Sequence, residues 1–518
     1  MKRQYTGNLV ILFSACLLFL GACSESYLDK KPTGLFTNSQ LQDAKRWNAN
    51  ILRGQASGIV AITFEGGAGA SGLGHSDFGQ KSLDIQTDLL SSDMEMRIPS
   101  YGHFGALENL TGTDRMNAYA YMNWRYLYRI VDATNSVFRA NGSDEKAPAT
   151  ETVGDKVYYG QSKIMRGFAY YYLAMLYGPY PYAEKKSEPA VPIYPYDDNS
   201  MSAKRATLEE TFAYAIKDLK EGTEALKGLK YEDSNKDNVN YWSGLGLLAT
   251  VYLETGQYDL AYNTAMEVIN SEKYRLMTAK EADNSGFRSY QIPEFIWCVD
   301  LTPANTGALL TFWGHMDIFT MSYASVGDAK RINEELYNSI DANDIRKHWF
   351  DSEGLPIWKF YDAARVEQGD RNWTNDEVYM RLAEMYLIGA EAAARSGKLA
   401  EARALMTTLL SNRYNYHLKA DIKDPKEQEA AIKEATKDFV ASVKMDTQAE
   451  LLDVILHNWR VEMWGEGRAL YAKKRFRVDM HRSSRAGTNP NTVVKWDDQR
   501  LRYSYPDREY SNNPDLNR

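Results

Sequence analysis

The side chains with the most chemical promise sit in two short runs, Tyr101-Gly102-His103-Phe104 and Phe312-Trp313-Gly314-His315, with Tyr290 and Tyr323 near the second. Binding is the chemistry these residue types suit. An aromatic face covers the CH surface of a sugar, and an imidazole or phenol beside it bonds the hydroxyl groups. Trp313 and Tyr101 are therefore expected to present ring faces to a ligand, with His103 and His315 as polar partners and Tyr323 and Tyr290 completing the surface. Packing of the loops by the same rings is the competing reading. Trp297 differs: it stands inside the apolar run Phe295-Ile296-Trp297-Cys298-Val299 and is expected in the core.

Motifs for metal or bond-breaking chemistry are weak. The seven histidines (His75, His103, His315, His348, His417, His457 and His481) form no His-x-x-x-His pair, so no zinc site is expected. Gly67-Ala68-Gly69-Ala70-Ser71-Gly72 matches a dinucleotide fingerprint, but no apolar helix start follows it, and it reads as a surface loop. Asp233-Ser234-Asn235-Lys236-Asp237 opens like a calcium loop, yet Asn238 and Gly244 stand where a glycine and a closing acid belong. A solvated interhelix loop is the better reading. No Gly-x-Ser-x-Gly elbow occurs, and a catalytic carboxylate pair stays open among 69 acidic residues. No cofactor is expected.

The first residues read as an export signal, residues 1–22. Lys2 and Arg3 precede an apolar run from Leu9 to Leu20, too short to span a bilayer as a helix. It ends in Leu20-Gly21-Ala22-Cys23, which resembles the bacterial lipobox, so Cys23 is expected to carry lipid. Two or more acyl chains make such an anchor stable. Of three cysteines, Cys16 would leave with the signal and Cys298 would remain as a small buried hydrophobe. A formal charge of -8 argues against a nucleic-acid partner.

The elements that must position the two aromatic runs are mainly helices. Ile164, Phe168, Tyr171, Tyr172 and Met175 share a face, as do Leu245, Leu248, Ala249, Tyr252 and Leu253, and Leu382, Ala383, Tyr386, Leu387, Ala390 and Ala394. Two segments read as one repeated unit of the tetratricopeptide kind. Gly256 and Gly397 permit a tight turn between helices, while Ala249, Ala261, Ala390 and Ala402 allow close approach. A third pair over 162–177 and 207–226 is split by a proline-rich insert. Phe295 to Val299 is the best strand. Residues 66–114 and 277–375 read as long loop-rich stretches, where function tends to sit on a rigid scaffold.

Taken in order, several segments resemble the SusD/RagB family of Bacteroidetes surface lipoproteins. They are Cys23-Ser24-Glu25-Ser26-Tyr27-Leu28-Asp29, Lys163-Ile164-Met165-Arg166-Gly167-Phe168, Tyr177-Gly178-Pro179-Tyr180-Pro181, Arg381-Leu382-Ala383-Glu384-Met385-Tyr386 and Arg460-Val461-Glu462-Met463-Trp464-Gly465-Glu466-Gly467-Arg468. The tail around Tyr505-Pro506 and Asn512-Asn513-Pro514 is similar to the family's closing segment. One departure is Ala472-Lys473, where many members carry Asp-Leu.

The resemblance implies an all-α dominated, SusD-like fold with tetratricopeptide-type helix pairs and long loop insertions carrying short strands. It implies an N-terminal region over 23–240 packed as one unit with a C-terminal region over 241–518. It further implies a non-catalytic lipoprotein of the outer membrane that captures an oligosaccharide or, in the RagB manner, a peptide for a SusC-like TonB-dependent transporter. A glycoside hydrolase and a purely protein-binding repeat scaffold are the rivals. The acids and bases of 381–391 and 460–468 are expected to form ion pairs rather than a catalytic site.

Overall fold

A computed structural model describes residues 56, 58–65, 74–148, 153–198, 202–229, 236–305 and 309–517. The signal segment, Cys23, the glycine run 67–72 and residues 233–235 lie outside the described residues.

Helices dominate because apolar residues recur at helical spacing and small residues let their backbones approach. We label the longer ones α1 (Gln80–Ser91), α2 (Ala118–Asn141), α3 (Val153–Tyr177), α4 (Leu208–Leu226), α5 (Tyr241–Glu254), α6 (Tyr258–Ile269), α7 (Leu382–Arg395), α8 (Leu399–Ser411), α9 (Pro425–Ser442), α10 (Gln448–Glu462) and α11 (Ala469–Phe476). Helix α3 packs along α4 on glycines: a Cβ at Gly222 would lie 2.6 Å from the carbonyl oxygen of Gly160.

The two repeat-like units are helix pairs as expected. Helices α5 and α6 are joined through Gly256 at φ +73°, and α7 and α8 through Gly397 at φ +78°. Ala249, Ala261, Ala390 and Ala402 are all fully buried, and α6 packs on α7, so the pairs are neighbours in space. The proline-rich insert between α3 and α4 holds strands β2 (Pro189–Pro192) and β3 (Arg205–Thr207), which pair antiparallel.

Three further two-stranded antiparallel sheets occur among the described residues. Strand β1 (Met94–Met96) pairs with β5 (Lys330–Ile332), β4 (Phe295–Val299) with β6 (Glu377–Arg381), and β7 (Met480–His481) with β8 (Val493–Val494). Trp297 and Cys298 on β4 are buried, as expected. Strand β6 runs straight into α7, which delivers Arg381 into the interior.

There the charged motif residues pair with one another. Arg381 reaches Glu294 at 2.7 Å, Glu462 at 2.7 Å and Glu466 at 2.8 Å. Glu462 also meets Arg346 at 3.0 Å and Arg413 at 2.8 Å. The arginine charges hold Glu462 well below the usual carboxylate range, although burial opposes them. No helix among the described residues is long and apolar enough to cross a membrane.

Candidate ligand-binding site

The antiparallel sheet β1/β5 sets the site. Met96 stands opposite Lys330, and the Arg97 N–H donates to the Ala329 carbonyl at 2.8 Å. The chain therefore leaves β1 and enters β5 at the same end of the sheet. The loop after β1 carries Tyr101 and His103; the segment before β5 carries Tyr323.

Asp328 ties the two loops together. Its carboxylate accepts from the Tyr101 N–H at 2.9 Å and from the His103 N–H at 3.2 Å. Gly327, at φ +148°, makes the approach possible, because a Cβ there would lie 2.4 Å from Ser100 Oγ.

Five rings gather above this junction. His103 packs edge-on against Tyr323 with centroids 4.7 Å apart and stacks on His75 at 5.4 Å. Tyr323 stacks on His315 at 4.9 Å, and Tyr101 meets Tyr323 at 5.9 Å. The Tyr323 hydroxyl and His75 Nδ1 are hydrogen-bonded. Tyr101 forms the outer face, with 59% of its surface exposed. Ile98, Phe319, Met321 and Val326 extend it as an apolar lip. These five make up nearly half of the large hydrophobic side chains exposed among the described residues, and all stand on these two loops.

Two of the imidazoles, His315 and His103, are held toward the uncharged form. Burial, and then the Lys330 charge, pulls His315 well below its ordinary 6.5, and burial also lowers His103. His315 Nε2 lies 2.5 Å from the His75 carbonyl, which can only accept, so that nitrogen carries the proton. Nδ1 is then the acceptor and faces the Lys330 amino group at 3.5 Å. Burial pushes Lys330 down to about 8. The surface thus offers ring faces and neutral polar atoms, a combination suited to an uncharged polyhydroxylated ligand.

The expected residues divide. Tyr101, His103, His315 and Tyr323 come together, but His315 lies buried beneath Tyr323 and supports the platform from below. Trp313 does not present a ring face. It is 0% exposed, packs against Phe312 and Phe360, and its Nε1 donates to the Asp376 carbonyl at 3.3 Å. The cause is local: Thr311 caps a single helical turn, Phe312–Met316, whose every residue is buried, so the glycine beside Trp313 serves packing. Tyr290 is partly exposed but stands apart from the ring cluster, its backbone N–H tied to Asp376 at 2.6 Å. His75, Asp328 and the apolar lip were not singled out as site residues in the sequence. The only available signal was Phe319, Met321 and Val326 set among polar and small neighbours.

A concavity of about 600 Å³ lies along α2, lined by Tyr121, Trp124, Tyr128 and Tyr194 among others. Its aromatic polar ends are already used: Trp124 Nε1 donates to Glu509 at 3.1 Å and the Tyr128 hydroxyl to the Pro192 carbonyl at 2.7 Å. These bonds dock the C-terminal segment and the insert onto α2.

A helical scaffold thus holds an aromatic platform on two tied loops. The chain belongs to the SusD family, whose model matches residues 252–515. A second model, described as starch-binding associating with outer membrane, matches residues 85–253. A SusD-like protein of Bacteroides ovatus is 24% identical over 298 residues, which is 54% of this chain and 47% of that protein. The match therefore spans about half the length of this curated relative. Among solved structures, a SusD-like carbohydrate binding protein of Bacteroides vulgatus has 19% identity and a TM-score of 0.70, covering 90% of this chain and 96% of its own. A SusD superfamily protein of Bacteroides thetaiotaomicron has 20% identity and a TM-score of 0.69, covering 90% and 98%. The fold is the SusD fold, predominantly helical, and the family is one of nutrient-binding proteins associated with the outer membrane.

Proposed function

We propose that this protein is a lipid-anchored lipoprotein on the cell surface that captures a glycan on the Tyr101 platform and delivers it to a SusC-like TonB-dependent transporter, without catalysing a reaction. The observation that carries the glycan reading is the junction of Tyr101, His103 and Tyr323 at one end of the β1/β5 sheet, with neutral imidazoles beside an exposed ring. The descriptions of the relatives, starch-binding and carbohydrate binding, support it. Calorimetric titration against a panel of oligosaccharides tests it, alongside product analysis for hydrolysis. Tyr101→Ala should weaken binding several-fold or more, since losing an aromatic anchor costs more than about 1 kcal/mol. Turnover of any glycan, or equal affinity in the variant, would sink the reading.

One observation favours a second reading, a peptide ligand. Ile98, Met321 and Val326 are aliphatic and suit apolar peptide side chains better than sugar faces. Binding of peptides and no glycan in the same titrations would select it.

The anchor rests on Leu20-Gly21-Ala22-Cys23. Cys23→Ala should abolish incorporation of labelled palmitate and release the protein from membranes. Equal labelling of variant and parent would remove the anchor from the proposal.

A further inference from the structure

Two histidines and an aspartate from three separate chain segments meet at one point outside the ring cluster of Tyr101. Asp283 lies in the short helix Ala279–Asn284, His348 in the turn Ile345–Trp349 and His417 in the turn Tyr416–Lys419. One nitrogen of each imidazole and a carboxylate oxygen lie within 4.8 Å of one another. His348 Nδ1 is 2.5 Å from Asp283 Oδ1, and His417 Nε2 is 2.9 Å from Asp283 Oδ2. Each imidazole thus aims at a different oxygen of the same carboxylate. The Tyr416 hydroxyl donates to Oδ2 at 2.8 Å. Burial would raise Asp283, but the hydrogen bonds from His348, Tyr416 and His417 outweigh it and keep the carboxyl below its ordinary 3.8.

The segments are held in place by bonds that do not involve the three donors. The Ile345 N–H donates to the Arg413 carbonyl at 2.8 Å, and the Asn415 N–H to the Asn343 carbonyl at 2.7 Å. Trp349 Nε1 donates to the Ala282 carbonyl at 3.0 Å. Arg346 and Arg413 both turn inward onto Glu462. The His348 ring also lies against Trp358, with centroids 5.5 Å apart and planes 19° from parallel. Donors so fixed need little ordering when an ion arrives.

Ligand type and access identify the ion. Two imidazoles and one carboxylate are the donors that zinc and its late first-row neighbours prefer, whereas calcium and magnesium take oxygen cages. Bonds of about 2.0–2.2 Å at tetrahedral angles place donors roughly 3.4 Å apart, so the widest pair must draw in by about an ångström, a side-chain movement. Asp283 is buried, while the His348 and His417 side chains are 38% and 44% exposed, which leaves the solvent side open for a fourth ligand.

We propose that Asp283, His348 and His417 bind one Zn²⁺ ion, with water in the fourth position. The ion takes the place of the hydrogen bonds between the imidazoles and the carboxylate and bridges segments up to 134 residues apart in sequence. The spacing within any single helix gave no hint of this, because each donor comes from a different turn.

The test uses purified full-length protein free of a histidine tag, stripped with chelator, equilibrated with zinc chloride and dialysed. Elemental analysis should find one zinc per chain, and His348→Ala and His417→Ala should each lower the affinity about tenfold or more. Zinc should raise the melting temperature of the parent and raise that of both variants less at the same zinc concentration. Cobalt in place of zinc should give visible absorption that the variants lose. Should His417→Ala fail to fold, His417→Gln takes its place, since its amide still donates to Asp283. No retained zinc, equal zinc in parent and variants, or retention of calcium in place of zinc overturns the proposal.

Discussion

Tyr101 keeps its ring in solvent while its backbone N–H is held by Asp328, so a ligand meets a surface whose conformational cost has been met by the fold. Trp313 occupies the opposite environment. Its ring is enclosed by Phe312 and Phe360, and its indole N–H is bonded to a carbonyl. Trp313→Ala should cost roughly 3–5 kcal/mol of stability, as deletion of a buried large aromatic does. Tyr101→Ala should stay within about 0.5 kcal/mol of the parent, as exposed positions do. Denaturant unfolding of both variants, run beside the binding titration, checks the pair: a stable Trp313→Ala would contradict the burial. In the sequence the two residues look alike, each an aromatic beside a glycine and near a histidine. What separates them is whether the next element is an open loop held by Asp328 or a buried helical turn capped by Thr311, and residue type does not encode that. Trp297 was legible because its neighbours on both sides are apolar.

Among the elements, the helix pairs were readable because small residues and turn glycines recur at fixed spacing in α5–α6 and α7–α8. Helix α1 was not. It lies inside a stretch that reads as loop, yet all twelve of its residues are buried. Most of its polar side chains find partners in the interior: Lys81 pairs with Asp84 at 2.9 Å, Gln86 bonds Asn123 at 3.2 Å, and Asp88 Oδ2 accepts from the Gly465 N–H at 2.6 Å. Its apolar residues Leu83, Ile85, Leu89 and Leu90 enter the core between these polar pairs, so a helix buried on every face shows no single apolar stripe to find. The pairs yield a test of their own. Ala261 and Ala402 are fully buried on helices that pack within and between pairs, so Ala261→Trp and Ala402→Trp should each destabilise by roughly 1–3 kcal/mol or more. Thermal melts give the answer, and unchanged melting for both would mean that these faces are not the packed ones.

Across the whole molecule, the interior carries far more charge than composition suggests, and its acids fall into two groups that respond oppositely to pH. Glu466, held by Arg381 and Lys359 against the effect of burial, is lowered to about 2. Its native pKa lies below the unfolded value, so its stabilisation is present above pH 4.5 and is lost as pH falls toward 2. Asp88, Glu254 and Glu377 are raised by burial to about 7, 7 and 8. These hold protons that the unfolded chain has released, so their contribution is full below about pH 4 and disappears as pH rises through 7 to 8. Buried histidines oppose them in that window: burial lowers His457 to about 4 and also pulls His315 and His103 down, which penalises the native state below pH 6.5. Asp376, raised by burial to about 6, adds to the acids. The histidine gain is complete by about pH 7, whereas the acids go on losing their contribution up to about pH 7–8, so the protein should be more stable near pH 5–6 than at pH 8. Asp88 isolates the effect, because burial and then the neighbouring Asp84 charge raise it while Gly467 and Gly465 backbone bonds only partly offset them. Asp88→Asn keeps an oxygen for the Gly465 N–H and removes the titration. It should flatten the decline between pH 5 and 7 by about 1.4 kcal/mol per pH unit wherever the native and unfolded states differ by one proton. Denaturant unfolding at half-unit pH steps measures the slope for parent and variant. Parallel curves would mean that Asp88 is ionised in the native interior, and that the amides of Gly465 and Gly467 outweigh its burial.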